Sequence, residues 1–249
     1  MLLIPAIDLR GGRCVRLYQG DFDAETRYEV EPRTLLDRYR QLGAPWLHVV
    51  DLDGARDGTQ FNRAAVLELA TKARDWQMSL QAGGGVRDAA TIETLLSGGV
   101  SRVVIGSAAV TRPAEVGEWL RRFGPEVLTI AFDVRLNEDG QPCCAIHGWR
   151  EQSSVDLWQA IDIYASQGLR HVLCTDISRD GALSGPNLNL YKECVRRYPQ
   201  IAWQASGGIR HTADMKDLTG TGVAAAISGR ALLEQRLAPE ELRPFLPNA

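Results

Sequence analysis

Two aspartates, Asp8 and Asp133, each close a short apolar run, residues 3–8 and 127–133. A pair of carboxyls at strand ends can divide acid and base work when their surroundings push the two pKa values apart. Helix capping or salt bridges to Arg10 and Arg135 would be the plainer use of the same residues. Glycine clusters accompany them: Gly83-Gly84-Gly85 and Ser206-Gly207-Gly208, then one segment later Gly106-Ser107 and Gly229-Arg230. Glycine lets backbone N–H groups approach an anion closely, and a helix N-terminus adds partial positive charge. Two phosphate cradles are therefore expected. Tight turns alone also favour glycine, but not in matched pairs. Arg16 and Arg87 are candidate anion partners. Trp149, after Gly148 in a polar loop, could stack on a flat ligand or anchor its loop.

These residues recur because the chain repeats itself. Residues 48–58 match 171–181 at an offset of 123, with six of eleven identical, and residues 81–87 match 204–210 with five of seven. Ala6-Ile7-Asp8-Leu9-Arg10 answers Ala131-Phe132-Asp133-Val134-Arg135 two residues off that register. So long a period indicates two fused half-domains related by an approximate two-fold axis.

Eight short apolar runs must carry these groups, at residues 3–8, 46–51, 79–82, 102–105, 127–133, 171–175, 202–205 and 224–228. Each is followed by a helical pattern, such as residues 34–42 ending at Gly43, or 88–96 ending in Gly98-Gly99. Near-continuous apolar strands alternating with amphipathic helices indicate parallel βα units. Eight units in one α/β chain of 249 residues fit a single (β/α)8 TIM barrel, with half-barrels about 1–124 and 125–249. A doubly wound open sheet is the alternative, but no G-x-G-x-x-G follows the first strand. Two connections, residues 9–32 and 135–153, are long enough for lids; the second holds Asn137-Glu138-Asp139-Gly140, a tight-turn sequence.

Composition narrows the classes. A net charge of −3 gives no footprint for nucleic acid or an anionic membrane. No run approaches the roughly 18 apolar residues of a membrane span, and the N-terminus lacks a signal-peptide pattern, so a cytoplasmic protein is expected. Five cysteines form no C-x-x-C pair, and the four histidines lack ligand spacing, so neither a disulfide framework nor a metal is expected. His48 and His171 read as structural residues opening buried strands. Asp51, Asp53, Asp176 and Asp180 are further strand-end acids, while Asp57-Gly58 and Asp180-Gly181 read as turn formers.

Residues 5–9, 15–21, 83–87, 174–181 and 205–208 together give the chain a resemblance to the phosphoribosylformimino-5-aminoimidazole carboxamide ribotide isomerase family of histidine biosynthesis. It covers essentially the whole sequence. The resemblance implies a half-barrel duplication acting on a bis-phosphate small molecule by an Amadori rearrangement, without cofactor, nucleic acid or membrane, and as a monomer. It casts Asp133 as general acid and Asp8 as general base, with Thr175 and Asp176 near the sugar and the acid. Trp149 would stack on the base, and Arg87 would close the third loop. The substrate-binding set it implies is Arg16, Gly20, Gly83, Gly84, Arg87, Gly106, Ser107, Trp149, Gly181, Gly207, Gly208, Gly229 and Arg230. Ser228 stands where the family usually has an apolar residue, and Cys143-Cys144 has no family counterpart. The related cyclase carries Cys-Leu-Asp-Val at its first strand, unlike Ala6-Ile7-Asp8-Leu9. A bifunctional isomerase also serving tryptophan synthesis stays open, since it differs in loop arginines. A phosphate-binding protein without catalysis is the reading from another class, and the paired aspartates speak against it.

Overall fold

Every apolar run becomes a strand. The computed structural model describes residues 1–59 and 61–247; Asn248 and Ala249, at the end of the expected domain, lie outside the described residues. The strands are β1 (Leu2–Arg10), β2 (Arg13–Tyr18), β3 (Asp21–Arg27), β4 (Trp46–Asp51), β5 (Ser79–Gly83), β6 (Arg102–Ile105), β7 (Leu128–Leu136), β8 (Pro142–Ile146), β9 (Glu151–Asp156), β10 (His171–Asp176), β11 (Ala202–Ser206) and β12 (Ala225–Ser228). Strands β1, β4, β5, β6, β7, β10, β11 and β12 pair in parallel in that order. Pairing of β12 back onto β1 closes the ring, so the chain is a (β/α)8 barrel.

Alternation along each strand builds two cores. Outward residues such as Leu3, Ile7, Val103, Phe132 and Trp203 pack under the helices, while Ile4, Ala6, Val104, Ala131, Leu173, Ala225 and Ile227 fill the barrel. The helices end where expected. Pro32–Gln41 stops before Gly43, which takes φ 83°, and Ala89–Ser97 starts on Asp88, whose side chain accepts a hydrogen bond from the Thr91 N–H at 2.7 Å. Inside the barrel, the repeat meets itself. Gln81 donates from Nε2 to Gln204 Oε1 at 2.7 Å, and these two residues are separated by the repeat offset.

One sequence match is corrected. Cross-strand partners align β4 with β10 at an offset of 125, because Ala6 faces His48 while Ala131 faces Leu173. His48 therefore corresponds to Leu173, and Asp51 to Asp176. The connection after β4 is two residues longer than that after β10, which restores the offset of 123 at β5 and β11. An even slip preserves which side chains face inward, so the apolar pattern hides it.

The two long connections are not loops. Strands β2 and β3 continue antiparallel from β1, and β8 and β9 continue likewise from β7, so each half carries a β-flap over the mouth. The turn at the second flap is as expected, with Gly140 donating to the Asn137 carbonyl at 2.9 Å.

Gly84 shows how tightly the βα turns are packed. A Cβ there would lie 2.1 Å from the Asp51 carbonyl oxygen, and its φ of 102° is unsuited to other residues. Gly84→Ala is expected to destabilise the fold by about 3 kcal/mol and lower Tm by roughly 6–12 °C in thermal unfolding. An unchanged Tm would show that the backbone there relaxes freely.

Candidate active site

The barrel mouth holds a cavity of about 500 Å³, large enough for a sizeable metabolite. Both strand-end aspartates line it, Asp8 from β1 and Asp133 from β7. The floor comes from inward residues of the other strands, including His48, Val104, Leu173 and Thr175. Burial lowers the His48 imidazole to about 3, so the ring is neutral; its Nδ1 lies 3.0 Å from Gln81 Nε2.

The aspartates live in different surroundings. Arg16 of the first flap donates from Nη1 to Asp8 Oδ2 at 2.7 Å and from Nη2 to Asp180 Oδ1 at 2.6 Å. Burial pushes the Asp8 carboxyl up, while the Arg16 charge and hydrogen bond pull against that shift. Burial likewise raises Asp133, opposed by hydrogen bonds from the Trp149 and Thr175 side chains and reinforced by the Asp180 charge. One carboxylate is met by a guanidinium, the other by neutral donors.

The flaps close over this pair. Gln19 of the first flap donates its N–H to the Asp180 carbonyl at 3.0 Å and its Nε2 to the Ser178 carbonyl at 2.7 Å. The ring of Trp149 lies so near Gly20 that a Cβ at Gly20 would sit 2.0 Å from Trp149 Cε3. Glycine is required there. The Trp149 turn is held in left-handed backbone (His147 φ 54°, Gly148 65°, Trp149 69°). Arg135 donates from both terminal nitrogens to the Trp149 carbonyl at 3.2 Å, and the His147 N–H donates to Ser107 Oγ at 3.0 Å. Strain of this kind concentrates at functional sites.

The structure brings together most residues singled out in the sequence. Arg16, Gly20, Gly83, Gly84, Arg87, Gly106, Ser107, Trp149 and Thr175 line the large cavity. Gly181, Gly207, Gly208, Gly229 and Arg230 line a second cavity of about 20 Å³, which Arg16 and Asp180 also border. Arg230 is pinned there, donating to the Gly181 carbonyl at 2.5 Å and to Glu234 at 2.6 Å.

Asp176 is not brought to either cavity. Its carboxylate accepts hydrogen bonds from Ser178 N–H at 3.0 Å, Ser178 Oγ at 2.6 Å and Asn187 Nδ2 at 2.7 Å. In the first half, Asp51 does the same with Gly54 N–H at 2.9 Å and Asn62 Nδ2 at 2.6 Å. These two acids set the shape of matching loops. The residue that sequence reasoning missed is Asp180. Read as a turn former like Asp57, it is instead buried against Arg16, whereas Asp57 is exposed beside Arg56 and Thr59. Its signal in the sequence was the acid needed to balance Arg16. Among the described residues, no group of three or more His, Cys, Asp or Glu side chains is arranged to hold a metal, and no helix is long and apolar enough to cross a membrane.

A family model described as histidine biosynthesis protein matches residues 2–238. Among curated relatives, a protein of Alteromonas mediterranea is 46% identical over 240 residues, covering 96% of this chain and 97% of that protein. One from Vibrio cholerae is 46% identical over 242 residues, with the same coverage. A Pectobacterium carotovorum protein is 48% identical over 233 residues, 94% of each chain. All three are named 1-(5-phosphoribosyl)-5-((5-phosphoribosylamino)methylideneamino) imidazole-4-carboxamide isomerase.

A raised carboxyl in the folded state binds its proton more tightly than the unfolded chain does. For Asp133 that stabilisation is complete below the unfolded carboxyl's pKa, about 3.9, and is lost as pH rises through the folded value. Asp133→Asn, which cannot ionise, is therefore expected to raise Tm by about 2–4 °C at pH 8, with the gain shrinking towards pH 4. Thermal unfolding at the two pH values checks this; a gain that grows on acidification would reverse the sign.

Proposed function

The chain belongs to the histidine biosynthesis protein family, and we infer from that membership that it is the isomerase for which its relatives are named. It converts the phosphoribosylamino end of an imidazole carboxamide nucleotide from aminoaldose to aminoketose, an Amadori rearrangement serving histidine synthesis. The observation that carries the residue roles is the split between the two strand-end carboxyls: Asp8 sits against Arg16, Asp133 against Trp149 and Thr175.

In this reading Asp133, whose protonated form burial favours, gives its proton to the furanose ring oxygen. The ring C1–O bond breaks and C1 becomes an imine. Asp8, whose anion Arg16 stabilises, takes the proton from C2. The electrons of that C–H bond form a C1=C2 enolamine, which gains a proton at C1 and loses one from the C2 hydroxyl to give the aminoketose. Proton transfers of this kind need heavy-atom approaches of about 2.6–3.2 Å, so substrate placement decides the rate. Placement falls to the glycine cradles at Gly83, Gly84 and Gly106 and at Gly207, Gly208 and Gly229, which suit a phosphate at each end. Trp149 offers a flat face to the imidazole, and Arg87 a charge at the rim. The same reading takes the protein to act as a monomer in the cytoplasm, where a biosynthetic step of this kind fits.

Asp8→Asn and Asp133→Asn are each expected to lower kcat at least about 10³-fold while substrate affinity stays within about tenfold. Steady-state kinetics and equilibrium binding measure both, and near wild-type kcat for Asp8→Asn would overturn the base assignment. Trp149→Ala is expected to damage kcat and KM together, because the residue both faces the ligand and holds the flaps closed. Unchanged kinetics would reduce it to a loop anchor.

A further inference from the structure

The two cradles differ at one residue that packing does not explain. Ser228 ends β12 and lines the small cavity beside Gly207, Gly208, Gly229 and Arg230. It is 3% exposed, and its hydroxyl has no hydrogen-bond partner. Repeat symmetry identifies its counterpart. Ser228 faces Pro5 of β1 as Ile105 faces Ile130 of β7, so the first half fills this position with a buried isoleucine. The barrel closes well there without a hydroxyl.

A second unmet polar atom borders the same cavity, and a third lies within reach of its charged residues. Arg16, which borders it, leaves Nε without a partner. The Tyr28 hydroxyl is also buried and unpartnered, and it feels the charges of Glu234, Arg230, Arg16 and Asp8. Buried polar groups left unpaired cost free energy, so such a cluster calls for a ligand. Hydroxyl and guanidinium N–H groups are donors, and the ligand they suit is an anion rich in acceptors.

We propose that the Ser228 hydroxyl donates directly to the substrate phosphate held in the second cradle. The proposal rests on the reading of the substrate as a bis-phosphate. At about 20 Å³ the cavity now admits little more than one water. Seating a phosphate requires the Gly181 carbonyl to release Arg230, which frees a second positive donor for the same anion. Asp180, also on the cavity wall, repels that anion, and its pairing with Arg16 offsets the repulsion.

Titration with inorganic phosphate, followed by phosphorus NMR and thermal unfolding, tests this on wild type, Ser228→Ala and Ser228→Thr. Wild type is expected to show two bound phosphates. Ser228→Ala weakens one of them about tenfold or more, leaves the other unchanged, and keeps or raises the Tm of the phosphate-free protein. Ser228→Thr, which retains the hydroxyl, restores binding. With substrate, Ser228→Ala raises KM and leaves kcat within about threefold. Equal phosphate affinity in wild type and Ser228→Ala overturns the proposal, as does a fall in phosphate-free Tm, which would mark the hydroxyl as structural. Failure of the underlying reading appears separately, as wild-type protein that does not turn over the isomerase substrate.

Discussion

A buried guanidinium held between two carboxylates is the constraint on which the mouth of this barrel depends. Arg16 joins Asp8, on β1, to Asp180, in the connection after β10, with bonds of 2.7 and 2.6 Å. Removing the guanidinium would leave two buried carboxylates without a counter-charge, and breaking a buried ion pair in this way typically costs about 3–5 kcal/mol. The guanidinium can stand there only because β2 pairs antiparallel with β1, with Val15 opposite Asp8. The first flap is thus fixed to the barrel by hydrogen bonds and to the opposite half by charge. The same side chain forms the wall between the two cavities.

Duplication gives two similar halves, and the flaps make them different. Val134 lies opposite Cys144 in β7–β8 as Leu9 lies opposite Cys14 in β1–β2, which matches Ala145 to Val15 by position. By the same count, Ile146 occupies the position that Arg16 holds in the first flap. An apolar residue replaces a cation, and the second aspartate is left with Trp149 and Thr175. Burial raises both carboxyls, but the flaps set a cation against one and neutral donors against the other.

Strands and glycine turns were legible in the sequence because burial on both faces leaves little freedom in residue type. All eight barrel strands stand where the apolar runs predict them, and Asp8 and Asp133 meet at one cavity. The flaps were not legible. β3 and β9 are largely exposed, so their sequences carry charge and polarity instead of an apolar period. The resemblance implies that Asp176 lies near the sugar, whereas its carboxylate is held by Ser178 and Asn187, as that of its barrel counterpart Asp51 is held by Gly54 and Asn62. Asp180 was hidden by the opposite error: Asp-Gly reads as a turn in both halves, and only the position of Arg16 tells the buried acid from the exposed one.

Asymmetry of the flaps also explains why one chamber is wide and the other nearly shut. On the first side, Ser107 binds the His147 N–H, and the Trp149 turn arches over the glycines without filling the space beside them. On the second side, Gln19 pulls the connection carrying Ser178 and Asp180 down onto the barrel, and Arg230 locks onto Gly181. The contacts that tighten the second side all run through residues 178–181, whereas those at the first involve a strained turn whose left-handed residues are held by Arg135. A ligand with an anion at each end therefore meets one open berth and one that must be prised apart. The carbonyl that holds Arg230 is next in sequence to the acid that holds Arg16, so the second berth and the charge balance around Asp8 share one loop.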